Sequence, residues 1–261
     1  MRTVWITGAS SGIGEACAYR YAAMGCRLIL TSSSREKLET IAERCRREGS
    51  ADVRVLPYDL MDPDGIKLLS REAWNAFGGI DILYCNAGIS QRTSVEDTPM
   101  PIVRKIMEVN FFAPVALAEA VLPLMIDNGG GRIAVTTSIA GRFGFPLRCA
   151  YSASKHALYG FFETLRAENQ DKGISVTMVC PGRIRTNISF NALDKDGEKH
   201  GVMDPGQDTG LSPEKAARII VRAIERRRNE VLVGRAELLM VYIKRFFPGL
   251  CTRMVCRIKA L

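Results

Sequence analysis

Tyr151 and Lys155 stand four residues apart in a segment, residues 150–171, whose pattern predicts a helix. Side chains at this spacing rise from one helix face about one turn from each other, so an ammonium lies near a phenol. A free tyrosine has a pKa of about 10, and a nearby cation stabilises its phenolate. Tyr151 is therefore a candidate general acid for a carbonyl, or a general base for an alcohol.

A third polar side chain, Ser138, lies thirteen residues before Tyr151. It ends the apolar run 132–137, which is typical of a buried strand, so its hydroxyl is expected where open α/β sheets bind ligands. There the hydroxyl can hydrogen-bond a substrate oxygen. A tyrosine and a lysine four apart also occur by chance on helices. This serine, together with a nucleotide site near the N-terminus, favours the catalytic interpretation.

The predicted nucleotide site is a glycine-rich turn between a first strand, residues 3–7, and a helix predicted to run to about Met24. Its glycines permit a tight turn and close backbone approach, and the start of the helix offers unpaired N–H groups to a pyrophosphate. The strand before the turn and the helix after it make the motif specific. The candidate cofactor-binding residues of the turn are Gly8, Ser10, Ser11, Gly12, Ile13 and Gly14.

The residues after a second predicted strand, 27–31, indicate which dinucleotide is bound. An acidic residue at this place pairs with the ribose 2′-hydroxyl of NAD, whereas a basic residue accommodates the 2′-phosphate of NADP. Here the run is Ser32, Ser33, Ser34 and Arg35, with no carboxylate to repel a phosphate. NADP(H) is therefore favoured and NAD(H) is possible. The alternative for Arg35 is that it points to solvent.

Strand and helix patterns alternate along the chain. Helices are predicted over residues 35–48, 62–77, 99–127, 150–171 and 213–228, and further strands over 53–58, 80–85, 132–137, 174–180 and 230–233. This alternation predicts an α/β fold, a single-domain Rossmann-type doubly wound parallel sheet of about seven strands with helices on both faces. Residues 1–234 would form the dinucleotide-binding catalytic domain. Residues 235–261 would form a basic, amphipathic, helical C-terminal extension packed on or beside that domain.

The bulk composition fits one α/β domain with a large core, since the 261 residues are 47% hydrophobic and 25% charged. No run of 18 uncharged apolar residues occurs, so no transmembrane helix is expected. The first strand begins at Thr3, which is taken to leave no room for a signal peptide or anchor, so a cytoplasmic location is expected. Eight scattered cysteines and two histidines favour neither a disulfide framework nor a metal site.

The net charge of +8 belongs largely to the C-terminal extension. Residues 235–261 hold six lysines and arginines against Glu237 alone, so a nucleic-acid partner is not indicated for the domain. Basic residues flank apolar stretches between 238 and 259. Such a segment can bind an anionic membrane surface or cover a hydrophobic substrate. Alternatively, it is a helix packed on its own domain or on a second subunit.

Taken in order from Thr3 to about Gly234, these motifs resemble the short-chain dehydrogenase/reductase family, in the single-domain branch that uses Ser, Tyr and Lys with a nicotinamide dinucleotide. The resemblance implies an oxidoreductase that interconverts a carbonyl and a secondary alcohol, with Lys155 gripping the nicotinamide ribose. It adds Asn110, which would hold a water joining Lys155 to solvent. NADP-preferring members usually carry arginine at the position of Ser33. Further cofactor contacts implied by the resemblance are Asp59, Leu60, Asn86, Ala87, Gly88, Pro181, Gly182, Ile184 and Thr186.

The C-terminal extension and the runs at 181–186 and 211–215 are similar to hydroxysteroid-dehydrogenase-like members of the family, which act on lipophilic carbonyls. This similarity implies NADPH-dependent reduction of a lipophilic ketone (steroid, retinoid or lipid-like). The alternatives are 3-oxoacyl reductase-type activity and an NADP-binding redox sensor or scaffold without significant turnover. The segments 89–98, 141–149 and 187–212 are expected to set specificity, the last as a lid. The family's pairing of helices 99–127 and 150–171 implies a homodimer or homotetramer.

Overall fold

The computed structural model describes residues 1–258 and contains one seven-stranded sheet. The strands are β1 (Thr3–Thr7), β2 (Arg27–Thr31), β3 (Asp52–Val55), β4 (Ile82–Cys85), β5 (Gly131–Thr136), β6 (Ile174–Pro181) and β7 (Glu230–Val233). Their order is β3-β2-β1-β4-β5-β6-β7, and every neighbouring pair is parallel. The chain changes direction across the sheet between β1 and β4, which is the switch point where open α/β sheets bind ligands. The predicted fold is confirmed.

Helices cover both faces of the sheet. They are α1 (Gly12–Ala22), α2 (Arg35–Arg47), α3 (Ile66–Phe77), α4 (Met100–Met107), α5 (Ala113–Asp127), α6 (Cys149–Asn169), α7 (Pro205–Asp208), α8 (Pro213–Glu225), α9 (Leu239–Phe246) and α10 (Pro248–Val255). Successive strand residues face opposite layers, so Leu28 and Leu30 belong to one apolar cluster and Ile29 to the other. All three are fully buried, as expected for a parallel sheet covered on both sides.

The helix predicted over 99–127 is interrupted in its middle. Between α4 and α5 lies a π-helical turn, Glu108–Phe112, which the sequence pattern did not indicate. Such turns are rare and often occur at functional sites. The whole stretch Met100–Asp127 is long and apolar enough to cross a membrane by length and composition, with a mean hydropathy of 1.8 in its most apolar window. Leu117 and Val121 are nonetheless fully buried against the sheet, as in a core helix.

The C-terminal part is helical, as predicted, and one side of it packs on the domain. Met240 and Cys251 contact an apolar cluster that includes Phe143. The other side of α9 and α10 is exposed, with Phe246 and Phe247 at 66% and 63% exposure. Lys259, counted in the predicted basic extension, lies outside the described residues. The predicted lid, residues 187–212, contains the short helix α7 and is otherwise irregular.

Candidate active site

Two neighbouring cavities lie at the carboxyl edge of the sheet. The first, here called the glycine-loop cavity, has a volume of about 460 Å³ and lies at the ends of β1, β2 and β4. The second, the arginine-lined cavity, has a volume of about 320 Å³ and lies at the ends of β5 and β6, beside α7 and α9. Tyr151 and Thr136 line both cavities. The phenol therefore stands between the two spaces.

The glycine-rich turn leaves a cradle that side chains would fill. A Cβ on Gly8 would come 2.7 Å from the Cα of Ala87, and one on Gly12 would come 2.9 Å from Cγ2 of Thr186. Both glycines have positive φ, +64° and +60°, which favours glycine. Ser11 caps α1 with extended backbone and makes no side-chain capping bond. The first N–H groups of α1 are therefore suited to an anion, and the residues fit the pyrophosphate of a dinucleotide.

Most of the predicted cofactor residues lie together in the glycine-loop cavity. Those that line it are Gly8, Ser10, Ser11, Gly12, Ile13, Ser32, Ser33, Asp59, Leu60, Asn86, Ala87, Gly88, Tyr151, Lys155 and Thr186. Pro181, Gly182 and Ile184 line the arginine-lined cavity instead. Gly14 packs behind the turn, where a Cβ would meet the backbone oxygen of Gly8 at 2.3 Å.

Arg35 is one predicted cofactor residue that the structure does not place at either cavity. Its side chain is 69% exposed, and its Nη1 atom lies 3.7 Å from Oε1 of Glu39, one turn further along α2. The i,i+4 spacing on a solvent-exposed helix face accounts for this pairing. The solvent-facing alternative therefore describes Arg35.

Asn86 holds the strand ends together at the switch point. Its backbone N–H donates to Oγ1 of Thr7 at 3.1 Å, and its Nδ2 donates to the carbonyl oxygens of Thr7 and Gly8 at 3.2 and 3.3 Å. Thr136 donates to Oδ1 of Asn86 at 3.3 Å. One side chain thus connects β1, the turn after it, β4 and β5.

Tyr151 and Lys155 are both buried in the first turns of α6. Nζ of Lys155 donates to the carbonyl oxygen of Thr136 at 2.8 Å and lies 5.7 Å from the centroid of the Tyr151 ring. Burial lowers the pKa of Lys155 to about 7. The lysine therefore lies on the glycine-loop side of the phenol, with a backbone oxygen of β5 as its acceptor.

The environment of the Tyr151 phenol differs from the sequence-based expectation. Burial raises its pKa, and the groups that oppose this most are the Ser138 hydroxyl and the positive charges of Arg92 and Arg148. The expectation named Lys155 as the cation that lowers this pKa. Ser138 also accepts the N–H of Ala140 at 3.1 Å, which fixes its side chain at the end of β5.

Asn110 lies in the π-helical turn, and its carboxamide is fully engaged. Oδ1 accepts the N–H of Ile89 at 2.8 Å, while Nδ2 donates to the carbonyl of Ile89 at 2.9 Å and to Oγ of Ser154 at 3.0 Å. A Cβ on Gly88 would lie 3.2 Å from Oδ1 of Asn110 and 3.3 Å from Nζ of Lys155. The asparagine therefore lies near the lysine. Because the carboxamide is occupied, only the backbone of Asn110 is left for the predicted role of holding a water. That role stays a prediction.

Two buried features near Tyr151 were not indicated by the sequence pattern. Gln91 is fully buried, and its Oε1 accepts the N–H groups of Ala150 and Tyr151 at 2.9 and 3.2 Å, so it caps the start of α6. Arg92 and Arg148 converge on Asp204, a residue of the predicted lid. These three side chains lie one in each of the predicted specificity segments, and their opposite charges were the sequence signal that could have suggested an ionic cluster.

Apolar side chains make up much of the arginine-lined cavity. Phe143 and Phe145 come from the segment after β5, Ile188 from the lid, and Met240 from α9. Phe143 also packs in the core beneath α10. The cavity is therefore largely apolar with a charged cluster on one wall.

The doubly wound sheet and the glycine turn at its switch point define a dinucleotide-binding α/β protein. The chain belongs to the short-chain dehydrogenase/reductase family, because residues 2–197 match the family model described as short chain dehydrogenase.

Relatives and solved structures agree with this assignment. The chain is 42% identical over 251 residues to "Dehydrogenase/reductase SDR family member 7B" of Xenopus tropicalis, covering 94% of this chain and 81% of the relative. It is 38% identical to "Dehydrogenase/reductase SDR family protein 7-like" of Drosophila melanogaster, covering 95% and 78%.

Among solved structures, a short-chain dehydrogenase/reductase from Burkholderia phymatum in complex with NAD shares the fold at a TM-score of 0.84 and 24% identity, covering 95% of this chain and 94% of that one. A short-chain dehydrogenase from Sphingobium yanoikuyae in complex with NADPH aligns at 0.79 and 26% identity, covering 100% and 97%. The chain is therefore an oxidoreductase that uses a nicotinamide cofactor, as predicted.

Proposed function

We propose that this oxidoreductase reduces a lipophilic ketone to a secondary alcohol with NADPH. The observation that carries the proposal is the apolar cavity that meets the glycine-loop cavity at Tyr151. A carbonyl group placed beside the phenol would have its apolar substituents against Phe143, Phe145 and Met240. The bound cofactor supplies the hydride.

Three side chains are proposed to handle the substrate oxygen and its proton. Tyr151 gives a proton to the carbonyl oxygen, and the Ser138 hydroxyl holds that oxygen. Both residues line the arginine-lined cavity, which supports this division. Lys155 is proposed to bind the ribose and to exchange protons with solvent through Asn110, and a pKa of about 7 suits that exchange at neutral pH.

The catalytic proposal is tested by Tyr151→Phe on a panel that contains bulky ketones, small ketones and a 3-oxoacyl thioester. Turnover is expected to fall by about 10³-fold or more, because the substitution removes the proton donor. NADPH affinity, measured by fluorescence titration, is expected to change less than about twofold. Comparable turnover by the variant would contradict the mechanism. Tight NADPH binding by the wild type without turnover on any ketone would favour the sensor alternative.

The preference for NADPH is supported by Ser32 and Ser33, which line the glycine-loop cavity and belong to a run, residues 32–35, that carries no carboxylate. Ser33→Asp is expected to weaken NADPH binding about tenfold by repelling the 2′-phosphate, and to leave NADH binding unchanged or stronger. Ser34→Asp is the matched control, because Ser34 caps α2 by accepting the N–H of Lys37. Equal binding of NADPH and NADH by the wild type would contradict the proposed preference.

We also propose that the exposed face of α9 and α10 contacts an anionic membrane surface. Leu239, Phe246 and Phe247 are each more than 60% exposed, and the last turn of α9 carries Lys244 and Arg245. Exposed aromatic side chains beside basic ones suit the interface of an anionic bilayer. The protein would then be cytoplasmic and peripheral to the membrane.

Co-sedimentation with vesicles tests this contact. Binding to phosphatidylserine-containing vesicles is expected to exceed binding to pure phosphatidylcholine, and to be lost in the double variant Phe246→Ser with Phe247→Ser. Ile219→Ser, which changes an exposed apolar residue on α8, is the control. The proposed homodimer or homotetramer is measured on the same variants by analytical ultracentrifugation. If the double variant changes the oligomeric state and not vesicle binding, the face is a subunit interface.

A further inference from the structure

Two arginines and one aspartate form a buried ionic cluster on the wall of the arginine-lined cavity. The carboxylate of Asp204 accepts from Nη2 and Nε of Arg92 at 2.6 and 3.2 Å, and from Nη2 of Arg148 at 2.8 Å. The three side chains are 17%, 3% and 13% exposed, respectively. Two positive groups and one negative group leave one unit of positive charge in excess, held inside the protein.

Further hydrogen bonds fix the positions of both guanidinium groups. Nη1 of Arg92 donates to Oγ of Ser90 at 3.0 Å and to the carbonyl of Gln91 at 2.6 Å. Nη1 of Arg148 donates to the carbonyl of Pro146 at 3.0 Å. A buried excess charge is costly unless its donors are paired, and these bonds pair them. The cluster is therefore a fixed source of positive potential.

The cluster faces the same space as the reacting hydroxyl groups. Arg92, Arg148 and Asp204 line one cavity together with Ser138 and Tyr151. Arg148 is also the residue directly before α6, three positions ahead of Tyr151. Lys155 points instead to the carbonyl of Thr136.

The charges of Arg148 and Asp204 persist near neutral pH. Burial lowers the pKa of Arg148 only to about 10, so it stays protonated near neutral pH. Burial alone would raise the pKa of Asp204, but Arg92 and Arg148 more than offset this and hold it below its ordinary value. Lys155, in contrast, loses its charge as the pH rises through about 7.

We propose that Arg92 and Arg148, held on the cavity wall by Asp204, are positioning residues that supply the positive field in which Tyr151 exchanges its proton. A positive charge near a phenol favours the phenolate. The inference rests on the acid–base role of Tyr151 in the proposed function. The arginine pair adds to the positive field from the side of the arginine-lined cavity, and Lys155 lies on the side of the glycine-loop cavity.

Lys155, Ser138 and Cys180 also lie near the phenol of Tyr151. Lys155 lies on the same helix, and the Ser138 hydroxyl approaches from the end of β5. Cys180 of β6 also acts on the phenol, but burial raises the pKa of its thiol to about 11, so it is neutral at pH 8. The arginine pair and Asp204 thus set the sign of the field on the cavity side.

The test is a spectroscopic titration of tyrosinate absorbance in the full chain, recorded with and without Tyr151→Phe so that the difference isolates one phenol. It needs neither cofactor nor substrate. Arg92→Gln is expected to raise the midpoint by about one pH unit, because it removes a positive charge. Arg148→Gln is expected to raise it less, because Arg148, with a pKa of about 10, has lost part of its charge where a phenol of raised pKa titrates. Asp204→Asn is expected to lower the midpoint, because the excess charge rises from one to two units.

Arg142→Gln is the matched control. Arg142 lies on the same segment as Arg148, but it pairs with Glu230 and covers the ring of Tyr159. The midpoint is expected to stay unchanged in this variant. Circular dichroism across the pH range confirms that each variant remains folded where it is titrated.

Shifts that follow the sign of the charge removed would support the proposal, since a merely structural ion pair would not give opposite shifts for Arg148→Gln and Asp204→Asn. Shifts of one sign in all three variants, or no shift, would overturn it. The pH profile of alcohol oxidation by the holoenzyme should show the same order. If the titrations follow the charges but the wild type turns over no ketone, the proposed function fails and the electrostatic inference stands.

Discussion

The two cavities that meet at Tyr151 are built in different ways. The glycine-loop cavity is formed mainly by backbone turns that directly follow β1, β2 and β4, so its residues lie in short contiguous runs. The arginine-lined cavity lies at the ends of β5 and β6 and is completed by side chains from separate segments, among them the loop after β4, the segment before α6, the lid and α9. Backbone geometry therefore dominates the first cavity, and long-range side-chain pairing dominates the second.

Among the substitutions that test this difference between the cavities, Gly14→Ala is expected to have the largest effect. The new Cβ would lie 2.3 Å from the backbone oxygen of Gly8 and 2.6 Å from Nδ2 of Asn86, so the turn must shift. NADPH affinity is expected to fall about 100-fold, and the free energy of unfolding by about 3 kcal/mol. Fluorescence titration and thermal denaturation measure the two quantities.

Gly160→Ala is the control for this substitution, because a Cβ at this position in α6 would meet open space. It is expected to raise stability by about 0.5–1 kcal/mol, since alanine loses less backbone entropy in a helix. Normal NADPH binding by Gly14→Ala would show that the backbone turn is less important than the geometry indicates.

A smaller effect is expected from Gln91→Leu, which lies between two residues of the arginine-lined cavity, Ser90 and Arg92. This change leaves the N–H groups of Ala150 and Tyr151 without their acceptor, which should cost about 1–3 kcal/mol of stability. Turnover should fall as well, because the start of the helix that carries Tyr151 loses its cap. Gln170→Leu, at the exposed opposite end of α6, should change neither the melting temperature nor kcat. Equal effects of the two substitutions would argue against the capping role.

The smallest effect concerns Lys155, which lines the glycine-loop cavity, and it appears in the pH dependence of stability. Its pKa in the folded protein, about 7, is below the ordinary value of 10.5, so the unfolded chain binds more protons between these values. The stability contribution of Lys155 therefore rises with pH over that window, as the penalty for a buried ammonium is relieved. Chemical denaturation of the cofactor-free protein should show a gain of about 1–2 kcal/mol from pH 7 to 9. Lys155→Met should lose this gain, and an unchanged slope would contradict the assignment.

The difference between the cavities also explains what the sequence could predict. Strand–helix alternation and the glycine turn are local patterns, so the fold and most of the glycine-loop residues followed from them. Ser138, Tyr151 and Lys155 were brought together because strand ends and helix starts meet at one edge of a parallel sheet. Arg35 lies outside both cavities, because an exposed first-turn arginine pairs equally well with a glutamate on its own helix, and its cofactor contact stays a prediction.

The remaining residues depend on contacts between distant parts of the chain. Arg92 and Asp204 are 112 residues apart, and Arg148 and Asp204 are 56 apart, so neither pair has a local pattern. The buried position of Gln91 at the start of α6 likewise follows only from tertiary packing. The π-helical turn was not indicated by the pattern of residues 99–127, and Asn110 within it bonds to the loop after β4.

The contact between Asn110 and the loop after β4 links the stability of the two cavities. Asn110 binds both the N–H and the carbonyl of Ile89, as a neighbouring strand would, and also bonds to α6 through Ser154. A loop held in this way is expected to open only together with the π-helical turn. The residues that follow Ile89, including Gln91 and Arg92, then belong to one cooperative folding unit with that turn and α6. The specificity loop then has the protection of the core against local unfolding, although it carries no regular secondary structure.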